Sequence, residues 1–443
     1  MRDPANYVTL IDDRPEDGIF RIHRSIYNDP AILEAEYRHI FEGGWLFLCH
    51  DSIIPKPGDY FTAHMGRQPV FVIRQEDGRI AAYPNACGHR GSQLLKPRAG
   101  NAKSITCPYH GFCFDPDGTC LSAPKRATGW PADLSLSQFD LQPIARIDAY
   151  RGFVFGSLTP DVPSLTDHLG GATALMDIFV APAPQPLEIV SGYSIYETAC
   201  NWKVMHENGP DAYHAPVVHN NFAAAIAHRE KRAAASGFRK TDTGRLTARI
   251  VSASYDLGNG HTAFWQERPA PEAFPIWGRR EELSRRFTPG QLAWMTERGR
   301  HVTVFPNLLM NDLASTHLRV YRPVGVDRME TIIWCIAPVG EPAEERAARL
   351  RKFEDFFLPS GMATPDDVAI TEAAQAASWA HASPWSVLSR GLHFCHEGPD
   401  DASRELGFVP RFSSDSWDHE VAIRGVYRRW REMMEREPRR ANV

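Results

Sequence analysis

The chain has 443 residues, of which 43% are hydrophobic and 23% are charged. This composition is that of an ordinary globular protein of about two or three domains. With 49 basic and 54 acidic side chains, the formal charge of −5 argues against a nucleic-acid-binding surface. No apolar run reaches the roughly 18 residues that span a bilayer, and the N-terminus lacks a signal-peptide pattern, so we expect a cytoplasmic protein. Its eight cysteines are then expected to be reduced, as metal ligands or packing residues.

The segment from about 45 to 160 is predicted to form an all-β domain. Stretches rich in β-branched and aromatic residues alternate there with the turn signals EDG, PRAGN and DPDG. The Pro, Asp and Gly residues of 157–171 mark the end of this domain. The predicted strands are 68–75, 80–86, 104–114 and 152–158.

The rest of the chain, 1–44 and 161–443, is predicted to form a second domain. Its strands are grouped before its C-terminal helices, which indicates the α+β class, with helices packed against an antiparallel sheet. The predicted strands are 187–198, 246–257, 301–310 and 330–339, and the predicted helices are 342–357, 364–379 and 416–435.

Two loops of the all-β domain carry a pair of metal-binding residue types each. The segment C-G-H-R-G contains Cys87 and His89, and the segment C-P-Y-H-G contains Cys107 and His110. Two thiolates and two imidazoles can hold one tetrahedral Zn²⁺, or a [2Fe–2S] cluster with cysteines on one iron and histidines on the other. The cluster is favoured, because zinc loops usually space their ligands by two to four residues and because each loop offers one Cys and one His.

A second ligand set lies in the stretch N-W-K-V-M-H-E-N-G-P-D-A-Y-H-A-P-V-V-H, residues 201–219. Two histidines and one carboxylate on one face of an iron leave positions open for dioxygen and substrate, as in the facial triad of non-haem Fe(II) oxygenases. His214 and His219 are the candidate histidines. Spacing alone leaves the carboxylate open between Asp211 and the two aspartates of T-P-D-D, residues 364–367.

Local patterns suggest how these carboxylates are held. A helix that begins at Pro210 would place the aspartate after it on the same face as the first histidine, and Pro216 would then disturb that helix. In T-P-D-D, Thr364 is predicted to cap a helix, with Asp366 and Asp367 in its first turn. These two aspartates could also serve only to complement the helix dipole.

Taken together, the two ligand sets resemble those of a Rieske non-haem iron oxygenase α subunit. The resemblance covers nearly the whole chain and rests on C-x-H…C-P-Y-H-G, Y-R-G-F-V-F-G-S-L, N-W-K…E-N…D-x-Y-H-x4-H and F-x3-G-x5-D, which ends at Asp367. The spacing E-N-G-x-D-x-Y-H and the opening G-I-F-R-I-H-R-S-I-Y are similar to the benzoate, toluate and anthranilate dioxygenase group. The implied fold is an all-β Rieske domain with an α+β catalytic domain.

The resemblance implies a role for each candidate residue. Asp211 is then not a ligand but a bridge, which passes electrons from a cluster histidine of one subunit to an iron-bound histidine of its neighbour. The implied [2Fe–2S] ligands are Cys87, His89, Cys107 and His110, and the implied ligands of the mononuclear Fe(II) are His214, His219 and Asp367. The residues expected to line the substrate pocket are Asn208, Met205, Ala215 and Phe357.

The resemblance also implies a terminal oxygenase that hydroxylates an aromatic ring with O₂ and electrons from NADH. Because the chain lacks a G-x-G-x-x-G dinucleotide signature, the electrons are expected to arrive through a separate reductase or ferredoxin. The expected reaction is cis-dihydroxylation of a benzoate- or anthranilate-like acid, in an oligomer of three α and three small β subunits. The alternatives are a monooxygenase of the same family, acting on a salicylate, an aniline or an indole-derived acid, and a protein that only transfers electrons.

Overall fold

The computed structural model describes residues 7, 9–222, 224, 225, 228, 250–313 and 315–435. The chain divides into two compact units, one formed by 1–36 and 169–443 and the other by 37–168. The second unit is therefore an insertion in the first, and it extends eight residues beyond the predicted range 45–160 at each end. None of the described helices combines the length and the hydropathy that a membrane span requires.

The strands of the described residues are, in chain order, β1 (Ile11–Arg14), β2 (Ile19–His23), β3 (Leu46–His50), β4 (Asp59–Met65), β5 (Gln68–Arg74), β6 (Ile80–Pro84), β7 (Ala99–Asn101), β8 (Ile105–Thr106), β9 (Cys113–Phe114), β10 (Cys120–Ser122), β11 (Arg146–Tyr150), β12 (Phe153–Ser157), β13 (Leu187–Ile189), β14 (Ser194–Thr198), β15 (Ser252–Gly258), β16 (His261–Glu267), β17 (Arg298–Val304), β18 (Leu308–Asn311), β19 (His317–Gly325), β20 (Arg328–Pro338), β21 (Trp385–Val387), β22 (His396–Glu397) and β23 (Phe412–Ser414).

The α-helices of the same residues are α1 (Pro30–Glu36), α2 (Arg126–Gly129), α3 (Leu165–Leu169), α4 (Ala172–Val180), α5 (Trp202–Asn208), α6 (Ala215–Val218), α7 (Arg280–Ser284), α8 (Pro289–Thr296), α9 (Ala343–Phe357), α10 (Thr364–Ala377), α11 (Asp401–Leu406) and α12 (Val421–Met434). Short 3-10 helices span Pro15–Asp17, Arg24–Tyr27, Asp51–Ile53, Leu136–Phe139, Pro271–Ala273, Pro275–Arg279 and Leu392–Phe394, and a π-helical turn spans Tyr37–Phe41.

The unit 37–168 is built from three antiparallel sheets, in the orders β11-β12-β3, β6-β5-β4-β7 and β10-β9-β8. Its core contains large aromatic side chains such as Phe71 and Phe114, and it includes Cys87 and Cys107 themselves. Cys107 follows β8 directly, and Cys87 lies shortly after the end of β6. The predicted all-β architecture is confirmed, and its sheets hold the two ligand loops at fixed positions.

The unit formed by 1–36 and 169–443 is built around one large antiparallel sheet. Its strand order is β13-β20-β19-β18-β17-β16-β15-β23-β22, and β14 also pairs with β20. Strands β15 to β20 follow one another both in the chain and in the sheet. Helix α5 lies against β19 and α10, α9 lies against β20, and α12 lies against β15 and β16. This arrangement confirms the predicted α+β class.

Most helix predictions are confirmed, while several bounds differ. Helices α9 and α10 occupy the predicted ranges to within about two residues, but the last helix begins at Val421 and not at 416. The carbonyl of Ser416 accepts a hydrogen bond from Ser254, and the Ser416 hydroxyl donates to Asp418, so these groups are engaged outside a helix. The strand predicted over 301–310 is divided between β17 and β18, because Pro306 between them has no N–H for a sheet ladder. Residues 246–249 of another predicted strand lie outside the described residues.

Candidate metal centres

The two ligand loops of the all-β unit fold in the same way. The backbone N–H of Cys87 donates to the carbonyl of Ser92 (2.9 Å), and the N–H of Gly91 donates back to the Cys87 carbonyl (2.9 Å). The second loop repeats both hydrogen bonds around Cys107, with distances of 2.7 and 3.0 Å. Gly91 and Gly111 occupy equivalent places with φ of +69° and +78°, a conformation that glycine adopts without strain. The strand predicted over 104–114 is therefore interrupted by a ligand loop.

Backbone amides surround both cysteine sulfurs. Burial raises the pKa of the Cys87 thiol, and the amides of residues 89 and 90 oppose this increase. Burial also acts to raise the pKa of Cys107, but the amides of residues 109 and 110 are among the groups that outweigh it and lower the pKa below its ordinary value. Amide donors directed at sulfur stabilise a thiolate, which is the form that binds metal. The surroundings of Cys107 thus favour the thiolate, and at Cys87 the same kind of amide donor opposes the effect of burial.

The two histidines of the loops lie next to each other. The ring centroids of His89 and His110 are 4.8 Å apart. The Nδ1 atom of His89 is buried and has no hydrogen-bond partner among the described residues, which is unusual for a buried polar atom unless it binds something else. Phe112 stacks on the His89 ring at 4.7 Å. Partial burial and the nearby charges of His89 and Arg90 lower the pKa of His110, which favours the neutral, metal-binding imidazole.

The second ligand set is arranged around one short helical turn. Helix α5 ends at Asn208, and α6 (Ala215–Val218) is flanked directly by His214 and His219. The predicted helix start at Pro210 is wrong. The Asp211 carboxylate accepts a hydrogen bond from the backbone N–H of Tyr213 (2.7 Å), and such a side-chain turn competes with a helix.

Pro216 also plays a different part from the one predicted. It lies in the first turn of α6, where a helix does not use the N–H that proline lacks. The backbone N–H of His219 donates to the carbonyl of Ala215 (3.1 Å), which closes the turn. Both histidines are therefore fixed by the backbone of one compact segment.

Three ligand atoms converge at this turn. The Nε2 atoms of His214 and His219 are 3.3 Å apart, and they lie 3.4 and 3.3 Å from Oδ1 of Asp367. Two ligands of one divalent ion, each about 2.1 Å from it, are separated by roughly 3.0–3.4 Å. Within the described part of the chain, these three residues form the group whose ligand atoms lie within 4.8 Å of one another. The donor set and its spacing fit a mononuclear metal ion.

Asp367 reaches this group from the first turn of α10. The predicted cap is wrong, because the residue that caps the helix is Ala363 and the Thr364 hydroxyl instead donates to the carbonyl of Phe357 (2.7 Å). Asn208 donates to Oδ1 of Asp367 (3.4 Å). Burial acts to raise the pKa of Asp367, but the two neighbouring histidines hold it well below its ordinary value, so the carboxylate is ionised.

Asp211 orients the first histidine of this group. Its Oδ2 lies 3.2 Å from Nδ1 of His214 on the side away from the triad. An Nδ1–H that donates to a carboxylate leaves Nε2 free to bind a metal, an arrangement that is common in metalloproteins. Burial alone would lower the pKa of His214, but Asp211 and Asp367 raise it to about 9. On the other histidine, His219, Nδ1 is buried without a partner in the described residues.

The four residues predicted to line the substrate pocket differ in what they contact. Asn208 contacts Asp367, and Ala215 accepts the hydrogen bond from His219. Met205 is fully buried on α5. Phe357 is buried at the end of α9, and its ring lies 3.9 Å from the ring of His317. The sequence-based prediction missed the polar side chains of β19 (His317, Arg319 and Tyr321), which alternate with apolar residues in H-L-R-V-Y.

Comparison with known proteins relates both units to known families. The family described as Rieske [2Fe-2S] domain matches residues 44–142, and the family described as ring hydroxylating alpha subunit (catalytic domain) matches residues 188–436. The chain is 38% identical to the toluate 1,2-dioxygenase subunit alpha of Pseudomonas putida, over 96% of this chain and 93% of that protein. It is 37% identical to the 2-halobenzoate 1,2-dioxygenase large subunit of Burkholderia cepacia, over 98% and 94%.

Two further proteins are similar over most of their length. The anthranilate 1,2-dioxygenase large subunit of Acinetobacter baylyi is 36% identical, over 96% of this chain and 91% of that protein. Among solved structures, the naphthalene 1,2-dioxygenase from a Rhodococcus species with indole bound superimposes with a TM-score of 0.79 at 26% identity, covering 94% of each chain. The fold of the whole chain is thus that of a known class of iron oxygenase.

Proposed function

The chain belongs to the family of ring-hydroxylating oxygenase α subunits with a Rieske [2Fe–2S] domain, and we propose that it cis-dihydroxylates a benzoate-like aromatic acid. The observation that carries this proposal is the convergence of His214, His219 and Asp367 in this chain. The relatives that support the choice of substrate act on toluate, 2-halobenzoate and anthranilate, at 36–38% identity to this chain. All three are aromatic acids with the carboxylate on the ring.

The chain is an oxidoreductase whose cofactors are a Rieske cluster and a mononuclear iron. When bound, the cluster supplies single electrons and the iron activates O₂. The ligands we assign are Cys87 and Cys107 to one iron of the cluster, His89 and His110 to its other iron, and His214, His219 and Asp367 to the mononuclear iron. The buried, unpartnered Nδ1 of His89 supports the assignment to the cluster, and the convergence of Nε2 of His214, Nε2 of His219 and Oδ1 of Asp367 supports the assignment to the mononuclear iron.

We assign to Asp211 the link between the two kinds of centre. Its carboxylate holds Nδ1 of His214 and is still 27% exposed, so it can accept a second hydrogen bond from outside. His110 is only partly buried and is therefore accessible to a neighbouring molecule. A cluster histidine of one subunit would donate to Asp211 of the next, which requires an oligomer. We propose three α subunits with three small β subunits.

The residues around the triad supply position and shielding. The two imidazoles and the carboxylate would hold the ion as a set of three ligands, and such a set leaves coordination positions for O₂ next to a bound substrate. Met205 and Phe357 are buried and apolar, and we assign them to the wall of the substrate pocket. As an α subunit of this family, the chain works with a separate electron-transfer protein, a reductase or a ferredoxin.

The proposal is tested with the holoenzyme, a compatible reductase system, NADH and ¹⁸O₂, with benzoate, toluate and anthranilate as substrates. We expect NADH consumption that depends on the aromatic acid, and a ring product in which both new oxygen atoms carry the label. Incorporation of one labelled atom would identify a monooxygenase instead. Reduction and reoxidation of the cluster without product from any aromatic compound would contradict the proposal and indicate an electron-transfer protein.

A further inference from the structure

Buried cationic side chains of this protein are paired with carboxylates, with one exception. Five Lys and Arg residues are buried in the described part of the chain, and a buried charge without a partner is strongly unfavourable. Four have a carboxylate within ion-pair distance: Lys203 with Glu36 (2.5 Å), Arg424 with Asp13 (2.7 Å), Arg268 with Asp312 (3.6 Å), and Arg300 with Asp312. The fifth, Arg319, is 5% exposed and forms no ion pair with a described Asp or Glu.

The Arg319 guanidinium has only weak, uncharged hydrogen-bond partners, Thr364 and Tyr321, among the described residues. Its Nη2 makes a long hydrogen bond to the hydroxyl of Thr364 (3.4 Å), and its Nε is buried with no acceptor among the described residues. The Nε–Nη2 edge presents two parallel N–H groups, the geometry that binds a carboxylate in a bidentate manner. The ring of Phe357 lies beside the guanidinium, with its centroid 5.6 Å from the central carbon.

This edge lies close to the mononuclear iron ligands. Thr364 and Asp367 belong to the same helical turn of α10, so Arg319 contacts the turn that carries the carboxylate ligand. Burial acts to lower the pKa of Arg319, but the neighbouring side chains of Tyr196, Tyr321 and Asp367 outweigh it, so the guanidinium stays protonated. Two residues earlier on the same strand, His317 has a buried Nε2 without a described partner. Strand β19 thus carries a row of polar side chains, and one of them, Arg319, contacts the helix that carries Asp367.

We propose that Arg319 binds the carboxylate of the aromatic acid substrate and determines the preference for acids over neutral arenes. This inference rests on the proposed function. The other four buried cations pair with carboxylates of the protein, and for Arg319 the carboxylate comes from the substrate. Phe357 lies next to the guanidinium, where an aromatic ring carried by that carboxylate can pack. Arg319 is a binding residue, and the triad remains the place of reaction.

The test compares Arg319→Gln, Arg319→Lys and the matched control Arg322→Gln. Arg322 lies on the same strand, is partly exposed and pairs with Glu330 (3.1 Å). For each holoenzyme, the Kd of radiolabelled benzoate is measured by equilibrium dialysis, and kcat and KM are measured with benzoate and with nitrobenzene, a neutral molecule of the same shape. Iron content is determined in parallel.

For Arg319→Gln we expect Kd and KM for benzoate to rise at least about 30-fold, with nitrobenzene kinetics changed by less than about 3-fold. Arg319→Lys keeps the charge but not the fork of donors, so its Kd should be intermediate, and this variant decides the question if the Gln variant fails to fold. Arg322→Gln should bind benzoate as the wild type does.

Two outcomes would overturn the assignment of Arg319. In one, both substrates weaken equally. In the other, Arg319→Gln loses mononuclear iron while its benzoate Kd is unchanged, which would make Arg319 a partner of Asp367 alone. If the wild type turns over benzoate and Arg319→Gln binds benzoate with the same Kd, only this inference is rejected. If the wild type oxidises no aromatic acid, the proposed function is rejected.

Discussion

Two adjacent aspartates at the start of α10 show how strictly position determines a role. Oδ1 of Asp367 lies 3.3–3.4 Å from Nε2 of both His214 and His219, and it also accepts a hydrogen bond from Asn208. Asp366 precedes it in the same helical turn but does not belong to this group of ligand atoms. The carboxylate of Asp367 therefore belongs to the metal site, and that of Asp366 does not.

This difference gives a matched pair of variants. Asp367→Ala removes one of three metal ligands, and we expect it to lose the mononuclear iron and at least about 1,000-fold in turnover of the aromatic acid. Asp366→Ala should keep the iron and remain within about 3-fold of wild-type activity, because a charge in the first turn contributes only modestly to the helix. Metal analysis and steady-state kinetics on both variants decide the matter. Equal loss of iron in both would show that the ligand is misassigned.

Asp211 provides a second prediction at this scale. Asp211→Ala removes the acceptor for Nδ1 of His214, but it leaves all proposed ligands of both centres in place. We therefore expect both metal contents to be retained, while reoxidation of the reduced cluster in a single turnover slows at least about 100-fold. Stopped-flow absorbance of the cluster measures this rate. Loss of iron from the variant would make Asp211 a structural support of the site and not an electron bridge.

At the residue scale, the sequence identified the ligand candidates because their spacing is itself the chemical signal. It could not identify Arg319, because the unusual property of Arg319 is the lack of a described carboxylate around a buried guanidinium. One strand sequence does not distinguish this arginine from Arg322 three residues later, which is partly exposed and paired with Glu330. Only the three-dimensional neighbours separate the two.

At the scale of elements, helix α5 is fixed before the chain reaches the ligand turn. The side chain of Asn201 caps it by accepting from the N–H of Lys203 (3.1 Å). Near its other end, Glu207 accepts hydrogen bonds from Tyr27 (2.9 Å) and from Tyr427. These tyrosines come from the N-terminal segment and from α12, so one carboxyl group joins three distant parts of the unit.

Glu207 makes the stability of this unit depend on pH. Burial raises its pKa to about 7, so the folded protein holds a proton that the unfolded chain releases near its ordinary pKa of 4.5. Stability from this group is therefore present at low pH and is lost as the pH rises towards 7 and above. Relative to Glu207→Gln, the wild type should lose about 3 kcal/mol of unfolding free energy between about pH 5 and about pH 8.

The measurement is denaturant unfolding of both proteins at these two pH values. The Gln side chain can still accept both hydrogen bonds, so the comparison isolates the charge. Identical pH dependence of the two proteins would show that Glu207 does not hold its proton in the folded state.

Prediction of elements from sequence succeeded where helix-forming residues are dense and failed where side chains compete with the backbone. Helices α9 and α10 match their predicted ranges closely, since both are long and rich in helix-forming Ala and Glu residues. The segment after Pro210 has the features of a helix start, yet Asp211 bonds the backbone of Tyr213 and the side chain of His214 instead. Local propensity does not reveal which of these alternatives the surrounding structure selects.

At the scale of the whole molecule, the unit 37–168 is inserted into a unit whose two parts are far apart in the chain. Strand β2 pairs with β21, which places Arg21 opposite Val387. Asp13 near the N-terminus binds Arg424 in the last helix (2.7 Å). Such pairings join segments separated by several hundred residues, and no local sequence pattern predicts them. The family resemblance, by contrast, extends over both units because each carries its own ligand motif.

The central claim is that one polypeptide carries two unlike iron centres, one that relays electrons and one that activates oxygen. The most direct test is iron and acid-labile sulfide analysis of the purified, fully reconstituted chain, together with the EPR spectrum of its reduced form. We predict about three irons and two sulfides per chain, with the rhombic signal of a Rieske cluster. Colourless protein that contains zinc, or a chain with two irons and no further metal at the His214, His219 and Asp367 site, would contradict the account.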